Sequence, residues 1–354
     1  MAEARTAFQS VPVVDVSGLR SGDPALRRAT AAELARVGRE VGFLYVVGHG
    51  IPEATIEGLL DAARRLFALP AETKQRYYIG RSSNHRGYVP RGEERFYGYG
   101  DDLKEAFDTA LDLPADDPDY LAGNRMLGPN VWPAEVEGFD RQVTAYYAAA
   151  LDLGKTLIRG FALGLGLPEE AFAQHVTKPT TQLRLVHYPP IDSLPESERA
   201  NVMGIGGHTD YECFTILLPT APGLQVINGD GEWIEVPPIP GAFVINIGDM
   251  LEAWSNGAYV ATSHRVRQVT EERYSFPMFF ATDYDTVVAP HPDLVGPENP
   301  PRYPALSAGD HLVGQTMQTF GYLIDGLKDG SVQLPEGSRG LNEFGRFEQE
   351  RKAG

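Results

Sequence analysis

The chain has one cysteine, Cys213, among 354 residues. An intramolecular disulfide is excluded, and with it any small cysteine-stapled scaffold. Cys213 reads as a buried packing residue. No run of about 18 apolar residues occurs, so no segment is expected to cross a bilayer. The first ten residues lack an apolar stretch flanked by basic ones, so no secretory leader is expected and a cytoplasmic location is. Positive charge is scarce: 31 Lys and Arg stand against 48 Asp and Glu, a formal net charge of −17. Phosphate binding needs clustered Lys and Arg, so nucleic-acid and anionic-membrane partners are not expected. The acidity reads as a solubility feature. No glycine-rich phosphate loop follows the early strands, and no Gly-x-Ser-x-Gly elbow is present. Repeats and low-complexity linkers are also missing, so one domain over residues 1–354 is expected.

What is present changes character along the chain. Val11–Asp15 reads as a short opening strand. A helix is expected from Asp23-Pro24, a buried strand over Gly42–Val47, and further helices after Pro52 and Pro70. Residues 80–130 read as long loops around short strands. Apolar spacing from Val143 through Leu151 to Phe161 predicts a long helix over about Val136–Leu165. Residues 1–180 thus form a largely helical amino-terminal part. From Gln182 short β-rich runs follow one another: Leu183–Tyr188, Phe214–Leu218, Leu224–Ile227, Trp233–Val236, Phe243–Ile247, Tyr259–Val266, Tyr274–Ala281 and Thr286–Val288. Turn signals such as Pro222-Gly223 and Asn256-Gly257 separate them. Such spacing predicts a sandwich or jelly roll over 181–290, and a last helix over 308–329 covers one side. The fold class expected is mainly β with flanking α-helices.

The densest chemistry lies in Gly206-Gly207-His208-Thr209-Asp210-Tyr211. On a strand, residues i and i+2 share a side, so His208 and Asp210 can reach one point. Among eight histidines, a lone His-x-Asp arises readily by chance. A third ligand must come from elsewhere, and His264 is the best candidate. Two imidazoles and a carboxylate on one face of a metal form the facial triad of non-haem iron(II) oxygenases, which leaves three positions open. Arg273 and Ser275 are a second i, i+2 pair, able to turn a guanidinium and a hydroxyl into one pocket. That combination suits a carboxylate. Tyr188 offers a further donor. Taken singly, Arg273 could equally be a solvated residue beside Glu271 and Glu272.

The order His-x-Asp, distant His, Arg-x-Ser resembles the iron(II)- and 2-oxoglutarate-dependent oxygenases of the isopenicillin N synthase-like superfamily. Gly42-Phe43-Leu44-Tyr45-Val46-Val47-Gly48-His49-Gly50 resembles the amino-terminal signature of that superfamily. Phe67-Ala68-Leu69-Pro70, Arg86-Gly87-Tyr88, Asp102–Phe107 and Asn246-Ile247-Gly248-Asp249-Met250 also match its pattern. The resemblance implies a double-stranded β-helix core. It implies Fe(II) held by His208, Asp210 and His264, and 2-oxoglutarate held at its distal carboxylate by Arg273, Ser275 and Tyr188. Dioxygen would be consumed, with succinate and carbon dioxide released as an unactivated C–H is oxidised. Related halogenases have a small residue in place of the carboxylate. Asp210 therefore implies hydroxylation, desaturation or cyclisation. Plant members often carry Asn two residues before the tyrosine, where this chain has Val186.

Other readings stay open at this level. Isopenicillin N synthase itself uses the Arg-x-Ser pair for its substrate's carboxylate and needs no 2-oxoglutarate. A zinc-binding, cupin-like hydrolase or binding protein could use the same three ligands. A Ser263, His264, Asp249 triad is disfavoured, because adjacent residues on a strand point apart. Within the family, the loop after the amino-terminal helices and the last helix shape the substrate pocket. Here that points to Arg86, Tyr88 and Phe107, with Arg91, Phe96 and Tyr97, and to the Gln315–Tyr322 stretch. A small metabolite, such as an amino acid, a peptide or a natural-product intermediate, is the expected substrate.

Overall fold

The computed structural model describes residues 6–94, 104–193, 196 and 204–338. Phe96 and Tyr97 lie outside the described residues. The first long helix, Pro24–Glu40, starts where expected: the Asp23 carboxylate accepts from the Ala25 N–H at 2.8 Å, with Pro24 in the first turn. It ends before Gly42, whose φ of 71° suits glycine. A Cβ there would sit 2.1 Å from the Val260 carbonyl oxygen. Helices Glu53–Phe67 and Ala71–Gln75 follow Pro52 and Pro70. The spine helix is Phe139–Gly164, with Val143, Tyr147, Ala150, Leu157, Ile158 and Phe161 buried.

Two sheets make the core. The strands are β1 (Val13–Asp15), β2 (Phe43–Val47), β3 (Gly87–Val89), β4 (Glu105–Ala110), β5 (Gln182–Tyr188) and β6 (Ile205–His208). They continue as β7 (Phe214–Pro219), β8 (Leu224–Ile227), β9 (Trp233–Glu235), β10 (Phe243–Ile247), β11 (His264–Val266) and β12 (Arg273–Phe280). The large sheet runs β1-β2-β10-β7-β12-β5-β4-β3, and the small one β6-β11-β8-β9. The part expected to be largely helical thus supplies four strands to the large sheet. Period-two alternation separates its faces. On β12, Arg273, Ser275, Pro277 and Phe279 line a cavity, as do Arg184, Val186 and Tyr188 on β5. The intervening Phe276, Met278 and Phe280, with Leu183 and Leu185, are buried in the core on the opposite face. Gly154 of the spine helix admits Phe280, since a Cβ there would lie 2.2 Å from its ring.

Two expected elements differ. The strand expected over Tyr259–Val266 is only β11. Asn256 and Gly257 take left-handed φ of 54° and 79°, closing a short helix, Asp249–Trp254. The following N–H groups then turn to helices: Val260 to the Gly38 carbonyl at 3.2 Å and Ala261 to the Glu252 carboxylate at 2.6 Å. The last helix is two, Ala308–Thr319 and Gly321–Asp329, interrupted at Phe320. The Glu93 carbonyl captures the Gly321 N–H at 2.8 Å, and Phe320 bridges to Glu94.

A buried ion pair ties the helices to the sheet. Lys74 Nζ lies 2.6 Å from Glu105 Oε2, which also accepts from the Tyr88 hydroxyl at 2.6 Å, while His187 Nδ1 is 2.9 Å from Oε1. Burial by itself would raise the Glu105 carboxyl, but these partners outweigh it and draw it down to about 2 from 4.5. Lys74→Met should cost about 3–5 kcal/mol, because it strands a buried carboxylate; urea unfolding measures this. A depressed carboxyl stabilises the fold above its ordinary value and loses that contribution as pH falls through its folded value. Between pH 4.5 and about 2, stability should fall more steeply in the native chain than in Glu105→Gln.

Candidate metal centre

His208 closes β6 and His264 opens β11, and the two are direct partners across the antiparallel ladder. Their ring centroids stand 4.4 Å apart. His208 Nδ1 lies 2.8 Å from the Gly206 carbonyl, which fixes the ring and turns Nε2 inward. The edge of Phe43 packs against His264 at 5.3 Å. Asp210 lies past the strand end, in irregular backbone, so the simple strand argument for its side does not hold. The irregular segment performs the same task. His208 Nε2 and His264 Nε2 approach Asp210 Oδ1 at 3.5 and 3.6 Å. The candidate ligand atoms of all three residues lie within 4.8 Å of one another.

The other carboxylate oxygen is already engaged. Asp210 Oδ2 accepts from the Thr215 hydroxyl and from Asn246 Nδ2 at 2.6 Å. The Asp210 carbonyl accepts from the Asp249 N–H at 2.9 Å. Burial would raise this carboxyl, yet the two imidazoles and the Thr215 hydroxyl hold it ionised, well below its usual range. Oδ1 is the oxygen that faces the two imidazoles. Asn246 opens the Asn246–Met250 stretch that matched the family pattern without a stated role, whereas Thr215 had no motif to announce it beyond its position on β7. Asn246→Leu frees the carboxylate to rotate, and iron(II) affinity should fall about 10–100-fold. An anaerobic competition titration against a coloured chelator reads that change.

The three residues sit in a cleft of about 950 Å³ between the two sheets, including its open mouth. Arg273, Ser275 and Tyr188 line the same cleft. Arg273 is fully buried, which removes the reading of it as a solvated surface residue. Its Nε donates to the Ala221 carbonyl at 3.1 Å, whereas Nη1 and Nη2 are buried with no acceptor in hydrogen-bonding geometry among the described residues. The guanidinium stacks 4.7 Å over the Tyr188 ring. Burial lowers its basicity, and the neighbouring Tyr188 offsets part of that. Two buried, unanswered N–H groups on an arginine call for an anion. The donor set around Asp210 likewise fits a divalent metal with N and O preference.

The residues expected to meet a substrate are placed differently. Arg86 is buried away from the cleft, with Nη1 donating to the Asn84 and His85 carbonyls and Nη2 to Met126. Register explains Tyr88 and Phe107. Phe107 pairs with both Tyr88 and Leu185, so all three take the core face. A shift of one residue puts Asp108 opposite Arg184 on the cleft face instead. Arg91 is exposed. From the carboxy-terminal stretch, Thr316, Thr319 and Phe320 do line the cleft. A charged network that the sequence did not single out completes the wall. Arg184 donates to both Asp108 oxygens at 2.7 Å and to Glu94 at 2.5 Å, and Lys104 Nζ lies 2.6 Å from Glu94. His85 is pushed down to about 3 by burial and then by Arg184 and Arg86, so it is neutral. The signal for Arg184 was its spacing, two and four residues before Val186 and Tyr188 on one strand face.

Known proteins resemble this chain in sequence and fold. Residues 11–135 match the model described as non-haem dioxygenase in morphine synthesis N-terminal, and residues 179–282 match the 2OG-Fe(II) oxygenase superfamily. A homoarginine-6-hydroxylase of Glycine max is 35% identical over 328 residues, covering 89% of this chain and 98% of that protein. A 2-oxoglutarate-Fe(II) type oxidoreductase of Emericella nidulans is 34% identical over 319 residues, covering 88% and 90%. Among solved structures, a full-length Neurospora crassa protein in complex with alpha-KG and thymine superposes with a TM-score of 0.73. It is 25% identical, covering 90% of this chain and 97% of that one. A Caulobacter crescentus protein described as of the 2OG-Fe(II) oxygenase family gives 0.76, at 33% identity and with coverage of 88% and 99%.

Proposed function

Because the chain belongs to the 2OG-Fe(II) oxygenase superfamily, we propose that its own His208, Asp210 and His264 hold the iron and that Arg273, Ser275 and Tyr188 hold the cosubstrate. The enzyme is an Fe(II)- and 2-oxoglutarate-dependent dioxygenase that oxidises a small metabolite. The observation that carries the residue assignment is the buried Arg273 guanidinium, two of whose nitrogens lack an acceptor, in the same cleft as the triad. A dicarboxylate with one end on the metal and the other on Arg273 answers both demands. Bound iron supplies the redox chemistry, in which 2-oxoglutarate, dioxygen and R–H become succinate, carbon dioxide and, for hydroxylation, R–OH.

The protein's part is placement. Thr215 and Asn246 hold Asp210 by one oxygen, so the other faces the metal and the ligands stay on one side. Arg273 and Ser275 fix the far end of the cosubstrate, with Tyr188 stacked beside the guanidinium. The sheet walls keep bulk water from the reacting carbon, and Thr316, Thr319 and Phe320 complete the lining of the cleft. Hydroxylation, desaturation or cyclisation is favoured over halogenation, since an intact carboxylate ligand leaves no room for a halide. Names of relatives do not fix the substrate: homoarginine appears in one and thymine in another complex. A cytoplasmic setting suits the single buried cysteine, and no described helix is long and apolar enough to cross a membrane.

An anaerobic titration tests the assignment. Iron(II) added to metal-free protein, then 2-oxoglutarate, should produce the weak visible charge-transfer band of a chelated keto acid. Absence of the band with iron bound would remove the cosubstrate role of the Arg273 pocket.

A further inference from the structure

Arg273 is not alone in carrying an unanswered donor on the cleft wall. Gln182 opens β5, lines the cleft and is only 8% exposed. Its Nε2 is buried and has no hydrogen-bond partner among the described residues. Alternation along β5 puts Gln182 on the face shared by Arg184, Val186 and Tyr188, so the carboxamide belongs to the cleft and not to the core.

Register fixes where on the wall it stands. Gln182 is paired with Phe279 of β12, Phe279 with Thr215 of β7, and Thr215 with Asn246 of β10. Together they make one row across the floor of the cleft. Thr215 and Asn246 are the residues that hold Asp210. With strands about 4.8 Å apart, Gln182 lies about 10 Å from Thr215 along the row. Tyr188 and Arg273 are paired near the other end of the same two strands, about 20 Å away at about 3.3 Å per residue. A cosubstrate that reaches from Arg273 to the metal therefore leaves the Gln182 end of the floor to the primary substrate. Phe279, next in the row, is half-buried and gives that substrate an apolar surface.

The nearby charges are already spoken for. Arg184 gives its guanidinium to Asp108 and Glu94, and Lys104 is paired with Glu94. Neither cation is left to neutralise an anionic group, and a cationic group would bring only further donors to Nε2. A buried donor without an acceptor costs free energy until one arrives. A carboxamide carries an acceptor beside its donor, so another amide completes it best. We propose that Gln182 is a specificity residue that hydrogen-bonds an amide of the primary substrate, so that this enzyme oxidises neutral small molecules bearing a carboxamide, lactam or peptide bond. The inference rests on the functional reading above and names the substrate class of that same cleft.

The test uses the whole protein as its anaerobic Fe(II)–2-oxoglutarate complex, titrated calorimetrically with hexanamide, hexanoate and n-hexylammonium. The amide should bind at least about fivefold more tightly than either ion, because a neutral donor does not repay the desolvation of a charge. Gln182→Leu should weaken the amide by about 2–10-fold, the contribution of one neutral hydrogen bond, and leave the ions unchanged. Gln182→Asn, which keeps the group but withdraws it, should fall between. The melting temperature of Gln182→Leu should not drop, since the donor it removes is unanswered in the free protein. Equal or undetectable binding of the amide by the native protein overturns the proposal, as does a preference that survives in Gln182→Leu. A fall in melting temperature with unchanged amide binding would assign the carboxamide to the fold instead. Absence of the keto acid band in the native protein strikes the cosubstrate assignment, while calorimetry still reads the amide preference. A band without that preference strikes only the role of Gln182.

Discussion

Arg273→Leu will raise the 2-oxoglutarate concentration needed for half-maximal formation of the keto acid band by about a hundredfold or more. The guanidinium is buried, with Nη1 and Nη2 lacking an acceptor among the described residues. Each charge-assisted hydrogen bond to a carboxylate contributes roughly 1.5–3 kcal/mol, so losing two costs at least about 3 kcal/mol. Tenfold in affinity corresponds to about 1.4 kcal/mol. The same substitution will not destabilise the cosubstrate-free protein and is expected to raise its melting temperature. A buried cation whose anion has not arrived carries an unreturned desolvation cost, and apolar replacement of buried charge is often neutral or stabilising. Loss of cosubstrate affinity with a gain in thermal stability is the signature of a ligand-binding arginine. A structural arginine would give the opposite stability change. Unchanged 2-oxoglutarate dependence in Arg273→Leu would remove it from the site.

His264→Ala will lower iron(II) affinity by more than about a hundredfold and abolish succinate release. Partners that merely orient a ligand are worth about 10–100-fold, so removal of a ligand itself must exceed that. The fold should survive, since β11 is held by main-chain pairing to β6 and β8 on both sides. Far-ultraviolet circular dichroism checks this. Retained tight iron binding in His264→Ala would show that the pairing of His208 with His264 across the ladder serves the sheet alone.

Asp23 before Pro24, Pro52 and Pro70 marked helix starts to within a residue, because capping and proline act locally. The alternation of β5 and β12 was legible for the same reason, and it put Arg273 with Ser275 correctly on one face. The turn at Asn256-Gly257 is legible in the sequence, yet of the run after it only His264–Val266 is a strand. Its N–H groups are taken by Gly38 and Glu252, partners no local signal could reveal. Tyr88 and Phe107 were expected at the substrate and face the core instead. Their register against β5 decides this, and a slip of one residue reverses every side chain.

By itself the sequence determined the chemistry available: two imidazoles, one carboxylate, and a guanidinium spaced from a hydroxyl by one residue. Those are properties of residue type and short spacing, and they survive without coordinates. The tertiary structure alone decided which atoms were free to act. It spent Asp210 Oδ2 on Thr215 and Asn246, left Nη1 and Nη2 of Arg273 without an acceptor among the described residues, and closed Arg184 into a network with Asp108 and Glu94. Such assignments depend on partners tens of residues away, and burial gives them their energetic weight.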